Sequence, residues 1–397
     1  MQDALHALGP LAVAVGIFLL CAFARFLRHA LLTLPIAALA LGYALSLAVG
    51  DAMVENTLLE RVAEATLVLA LFTDASRIAP RALKASAAWS LRILLVGMTL
   101  ALGLGTLVAW SILGWPFWQV ALLAALMVPT DAALASSVIE NDAVPAHLRE
   151  TLTVESGLND GLALPAVLFT GCAAVGFAHD LGQGNWLVFA TTQVFYGLGV
   201  GITAGALGGL VLRWTDGDRA SVAGRAAATL AVPAVAWFGA EYVAGNGFVA
   251  AFVAGLAFAA VRRTASGTQE FLHTEGLLLT LIAFVFIGLV LVPAAVAGFR
   301  WEWLLVVFLM LFVVRPVAVW LALVGSDARP RERLFLGWFG PRGLATALFA
   351  LFVLDEFMKL PHGPSILGIA TLAVVASAVL HGATSHFAGR WSAAPEA

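Results

Sequence analysis

The residues with the most chemistry to offer are Thr130, Asp131, Ser156, Asn159 and Asp160. They place hydroxyl, amide and carboxylate oxygens inside otherwise apolar chain, in the stretches VPTDAALASS and VESGLNDGLALP. Ser156, Asn159 and Asp160 stand at i, i+3 and i+4, so they share one face of a helix. Every one of these oxygens is a hard donor, which suits a small monovalent cation better than a soft metal, and no His/Cys cluster argues otherwise. A carboxylate cut off from bulk water is costly while charged, so it takes up a proton or a cation. Where one acid serves both, the two compete, and competition of that kind can couple two fluxes without ATP.

Such a site needs apolar elements to hold it. The 397 residues are 61% hydrophobic and 11% charged, a balance that no soluble domain of this length could bury. Apolar runs of about 20 residues recur, each able to cross a bilayer as a helix and too continuous for barrel strands. The sequence therefore predicts an all-α polytopic membrane protein with one transmembrane transporter domain over 1–397. Thirteen spans are expected, near 10–25, 30–49, 61–75, 86–113, 117–137, 151–177, 186–212, 223–243, 246–261, 271–296, 303–324, 333–354 and 364–385. No basic region precedes the first run, so it is expected to remain as a helix rather than be cleaved as a signal peptide. With the N-terminus outside, sixteen basic residues fall on the cytoplasmic side and Arg61, Arg300 and Lys359 outside, which orients the C-terminus inward. Trp115, Trp118, Trp186, Trp301 and Trp303 then gather at outer ends, as interfacial anchors do.

Span five contains Pro129 and span twelve contains Gly340-Pro341-Arg342-Gly343, both expected to break their helices. Taking 10–177 and 223–385 as two six-helix repeats joined by 186–212, the broken helix is fifth in each, and the odd linking span makes the repeats inverted. Paired broken helices in inverted repeats point to a transporter's midplane site. The glycine-rich GLGVGITAGALGG of span seven is read as a close-packing face rather than a phosphate loop, since no strand precedes it.

Four more charged residues lie within the spans or at their ends. Glu155 is five residues before Asp160, about 140° around the helix, so it needs a partner of its own. Arg315 in span eleven is the expected partner, in a structural pair whose disruption would strand a charge. Arg342 is expected to face the cavity and offset the nearby acids, and Asp74 to sit at the cytoplasmic end of span three, at an ordinary helix end or at an ion entrance.

At these residues the chain resembles the cation/proton antiporter superfamily, in its electroneutral branch of bacterial NhaP-type antiporters and animal sodium/proton exchangers. PTDAA, VESGLND and FGPRGLA carry the resemblance, with LFTDASR and VVRPV in support, and it covers nearly the whole chain. It implies a thirteen-helix fold, a homodimer and an elevator-like core domain in a bacterial inner membrane. It also implies that Asp160 binds Na+ or Li+ with Thr130 and Ser156, that Asn159 and Asp131 organise the site, and that Glu155 pairs with Arg315. The Asn-Asp pair implies one H+ per cation, and neither lysine, Lys84 or Lys359, lies mid-span to carry a second. One departure is Ala132, where many relatives place proline, so Pro129 is expected to supply the kink. A long cytoplasmic tail of the animal kind is not expected.

The expected function is secondary antiport of Na+ or Li+ against H+, with no cofactor and no nucleic-acid partner. A K+/H+ antiporter on the same fold is the nearest alternative. An intramembrane aspartyl protease, suggested by GLND and two membrane aspartates, leaves Asn159, Arg315, Arg342 and the paired breaks without a role.

Overall fold

The computed structural model describes residues 2–22, 33–49, 56–77, 87–178, 185–215, 221–262, 266–356 and 360–393, all in helices and their connections, with no strand among them. Of the basic residues used to orient the chain, Arg25, Arg28, Arg81, Lys84, Arg219, Arg263 and Lys359 lie outside the described residues. We number the elements α1 (Gln2–Ala22), α2 (Leu34–Val49), α3 (Asn56–Arg77), α4 (87–113), the half-helices α5a (Phe117–Leu126) and α5b (Ala132–Ile139), α6 (Ala146–Ala178), α7 (Asn185–Trp214), α8 (Val222–Tyr242), α9 (Gly247–Val261), α10 (266–297), α11 (Trp301–Ala322), the half-helices α12a (Pro330–Trp338) and α12b (Leu344–Glu356), α13 (Gly363–Ser385) and α14 (Ala388–Ala393). Within the described residues, six helices are long and apolar enough to cross a membrane unaided: α4, α6, α7, α10, α11 and α13. The protein is thus an integral membrane protein with an all-helical fold.

Three helices contain a wide π turn, Ile93–Gly97 in α4, Ile287–Leu291 in α10 and Met310–Val314 in α11. The last two immediately precede Val292-Pro293 and Arg315-Pro316. Proline cannot donate to the carbonyl four residues back and its ring crowds it, so one extra residue in the turn moves that carbonyl aside without ending the helix. In α11 the wide turn ends at Arg315, which is buried.

The glycines of α7 face α9 at intervals of four. A Cβ on Gly205 would be driven into the carbonyl of Ala254, and Gly197 and Gly201 face the carbonyls of Asn246 and Ala250 in the same way. Bare backbone lets the two rods approach closely, and van der Waals contact between small residues replaces the hydrophobic drive that lipid cannot supply.

Both breaks are present. The first spans residues 127–131 between α5a and α5b, and the second spans 339–343 between α12a and α12b. Each break leaves backbone donors and acceptors without helical partners, at a cost of several kcal/mol apiece at membrane depth. The two breaks cross each other, and the crossing is where those groups find partners.

Candidate functional site

Asp131 is the N-cap of α5b. Its backbone is extended (φ −104°, ψ 117°), and Oδ1 accepts from the amides of Ala133 at 2.7 Å and Leu134 at 3.2 Å. Its Oδ2 accepts from the amide of Leu344, the first residue of α12b, at 2.7 Å. One carboxylate therefore closes the N-termini of both half-helices, where two partially positive dipole ends converge. The Asp131 amide in turn donates to the carbonyl of Pro341 at 2.8 Å. Gly343 is required by this arrangement, because a Cβ there would occupy the space of the Asp131 carboxylate.

Arg342 serves the opposite ends. Its Nη1 donates to the carbonyls of Val128 and, at 2.9 Å, Pro129, just beyond the C-terminus of α5a. The sequence places this side chain in the cavity, and here the structure differs. Arg342 is 2% exposed and turned into the crossing, because the unwound carbonyls of the first break are acceptors that only a neighbouring donor can satisfy.

Thr130, Ser156 and Asn159 come together beneath Asp131, all of them buried. The Thr130 amide can only donate, so the oxygen of the Asn159 carboxamide faces it, at 3.2 Å, and Asn159 Nδ2 donates to the Thr130 hydroxyl. That hydroxyl lies 3.2 Å from the hydroxyl of Ser156. Asn159 thus ties the first break to α6 through both ends of its amide.

Asp160 follows on α6 and reaches the wall of a cleft of about 820 Å3. Its Oδ1 is buried and accepts no hydrogen bond among the described residues. Asp74, Asp131 and Glu140 share the wall, with Thr73, Ser136, Ser137, Asn141 and Thr280, and among the described residues no lysine or arginine is on it. The charged groups nearest in effect to Asp160, among the described residues, are Asp74, Asp131 and Arg342. The cleft opens at the end of the bundle where α3, α5b and α13 finish and α2 and α6 begin. Asp74 therefore stands on the cleft wall, half-buried, while Thr130, Ser156 and Asn159 do not reach that wall.

Glu155 points away from the cleft. Arg315 Nη2 lies 2.9 Å from its Oε1, with side chains 6% and 2% exposed for arginine and glutamate, and the same Nη2 donates to the Leu336 carbonyl near the end of α12a at 3.3 Å. The pair joins α6 to α11 and lends a donor to the second break.

Two residues of this neighbourhood went unread in the sequence. Ser377 and His381 on α13 are buried, and Ser377 Oγ accepts from the Arg342 amide at 2.6 Å. The signal was available in SAVLHGATS, where an ionisable ring sits within an apolar span, one turn after a hydroxyl.

With the geometry in place, comparison with known proteins adds the following. The family model for the transmembrane sodium/hydrogen exchanger matches residues 13–391. A K(+)/H(+) antiporter NhaP of Alkalimonas amylolytica is 27% identical over 332 residues, which is 82% of this chain and 56% of the relative. A K(+)/H(+) antiporter NhaP2 of Shewanella oneidensis is 25% identical over 293 residues, 72% of this chain and 49% of the relative. The chain spans about half the length of these curated relatives. Among solved structures, the sodium proton antiporter MjNhaP1 from Methanocaldococcus jannaschii at pH 8 aligns with a TM-score of 0.72 over 99% of both chains at 18% identity. A second structure of the same antiporter, from electron microscopy, gives 0.78 over 97% of this chain and 98% of that one at 19% identity. The fold is shared.

Proposed function

Because the chain belongs to the sodium/hydrogen exchanger family, we propose that it is a secondary antiporter that exchanges a monovalent cation, Na+ or Li+, for H+, one for one. Asp160 is the shared group: it holds either a proton or a cation, and the two displace each other. The observation that carries this reading is the cleft itself, with four carboxylates on its wall and, among the described residues, no lysine or arginine there and no hydrogen bond to Asp160 Oδ1. Converging acids raise the local concentration of cations, and a carboxylate without donors is available to one.

In this reading Asp160 takes the cation with the Thr130 and Ser156 hydroxyls, Asn159 and Asp131 organise the site, and Asp74 guides ions in from the cleft mouth. Asp131 is already committed to three backbone amides, which supports an organising role over ligation. Glu155 and Arg315 are structural, and Arg342 neutralises the crossing from within. Thirteen crossings in two inverted repeats, 10–177 and 223–385 about a linking helix 186–212, would leave the N-terminus outside and the C-terminus in the cytoplasm of a bacterial inner membrane. The cleft then faces the cytoplasm. Elevator-like movement of the crossing and its supporting helices, within a homodimer, would carry the neutralised site across.

The relatives named as K(+)/H(+) antiporters favour K+ as a second reading of the cargo. Both readings are tested in proteoliposomes carrying a pH-sensitive dye. Added NaCl should dequench the dye to an extent independent of membrane voltage, and KCl should give a weaker response. A KCl response that exceeds NaCl would transfer the assignment to K+, and a voltage-dependent response would contradict one-for-one exchange.

A further inference from the structure

Helix α13 carries a polar stripe, Ser377, His381 and Thr384, at i, i+4 and i+7 on one face, and each member binds an edge of the second break. Ser377 Oγ accepts from the Arg342 amide at 2.6 Å, His381 Nε2 lies 2.9 Å from the Trp338 carbonyl, and the Trp338 indole donates to Thr384 Oγ1 at 3.0 Å. Trp338 ends α12a and Arg342 stands two residues before α12b, so the stripe clasps the unwound segment at both ends.

Donor chemistry sets the direction of this chain of bonds. The Arg342 amide can only donate, so Ser377 Oγ accepts, which leaves its own proton free to go to His381 Nδ1, 3.0 Å away. An accepting Nδ1 leaves the ring proton on Nε2, where the Trp338 carbonyl takes it. The Nε2–H tautomer satisfies these three contacts while setting the Nδ1 lone pair toward the Ser377 carbonyl at 2.8 Å. The other tautomer, donating from Nδ1 to the Ser377 carbonyl at 2.8 Å, would set the Nε2 lone pair against the Trp338 oxygen. A doubly protonated ring would add a third cation to the field of Arg315 and Arg342. Among the described residues the only carboxylate bonded to either arginine is Glu155, already 2.9 Å from Arg315.

We propose that Ser377 and His381 are positioning residues for cation binding. By holding residues 338 and 342 they fix the segment that delivers the Pro341 carbonyl and the Leu344 amide to Asp131. Through Asp131 they set the register of the neighbouring Thr130 against Asn159. Neither residue lies on the cleft wall, so they act through the break and not on the ion. The proposal rests on the antiport reading of the site.

The test compares full-length Ser377→Ala, Ser377→Thr, His381→Gln and His381→Asn in proteoliposomes, with half-saturating Na+ and maximal exchange measured separately and Asp160→Asn as control. Ser377→Ala should raise half-saturating Na+ by about tenfold, the size of one lost buried hydrogen bond, with maximal exchange nearly kept, and threonine should restore it. Gln at 381 has the length to reach the Trp338 carbonyl and should be milder than the shorter Asn. A purely structural role would lower the amount of folded protein and the maximal rate and leave half-saturation unmoved. Wild-type half-saturation in Ser377→Ala and His381→Asn, with Asp160→Asn inactive, would overturn the proposal and leave the antiport reading standing. Full exchange by Asp160→Asn would instead sink that reading. Should Ser377→Ala fail to reach the membrane, the two His381 variants decide alone: equal, unshifted half-saturation overturns the proposal.

Discussion

The α7–α9 pair and the crossing of α5 with α12 both depend on glycine, for opposite reasons. Along α7 the glycines remove side chains so that backbone meets backbone, and the contact holds by shape among uncharged neighbours. At the crossing, Gly343 removes a Cβ so that a carboxylate can reach two helix ends, and the contact holds by charge-assisted hydrogen bonds. In the first region the contacts are backbone against small apolar groups, with no charged side chain among them. In the second, among the described residues, Arg342 Nε, Arg315 Nε, Glu155 Oε2 and Asp160 Oδ1 are buried without a hydrogen-bond partner, and of these only Asp160 lies on the cleft wall. A region held by shape can serve as a scaffold, while one held by compensating charges, with one acid left open, is suited to changing its charge state as part of its work.

Substitutions in the two regions should separate these roles. Asp160→Asn should have the largest effect on exchange, about a hundredfold or more, since losing one charged member of a buried interaction costs roughly 3 kcal/mol; dye-coupled exchange on protein of confirmed fold measures it. Arg315→Met should come next, acting through stability: stranding Glu155 costs about 3–5 kcal/mol, and Glu155→Gln in the same chain should recover most of it in thermal melts. Gly343→Ala forces the Asp131 carboxylate aside, an overpacking cost of about 1–3 kcal/mol that should appear as a roughly tenfold higher half-saturating cation concentration. Gly205→Ala carries a similar overpacking cost of about 1–3 kcal/mol, but in the scaffold, so the melting temperature should fall while half-saturating cation stays within about twofold. A large affinity change from Gly205→Ala, or none from Gly343→Ala, would erase the distinction between the two regions.

How much of this was legible in the sequence follows from what local patterns can encode. The helices and both breaks could be read, because apolar length and the Pro129 and Gly340-Pro341-Arg342-Gly343 clusters act on their own backbone. The expected kink at Pro129 in place of a proline at position 132 matches a break over 127–131, with Ala132 starting α5b. Glu155 and Arg315 could be matched because each needed a countercharge and few were on offer. Arg342 was misplaced because its partners are the carbonyls of Val128 and Pro129, far away in sequence, and backbone acceptors carry no residue-type signal. The cleft was out of reach for a similar reason, since its wall is drawn from the ends of several helices at once. Ser377 and His381 carried a signal, a hydroxyl and a ring one turn apart at membrane depth, but their partners are again backbone groups of another segment.

The central claim is that Asp160 holds a proton or a cation and never both, and the direct measurement is the number of protons released when Na+ binds to the purified protein. Calorimetric titration in two buffers of different ionisation enthalpy gives that number, at a pH where the site is protonated before Na+ is added. Release of about one proton per Na+, abolished by Asp160→Asn, is the expected result. Na+ binding with no proton released at any pH would contradict the claim.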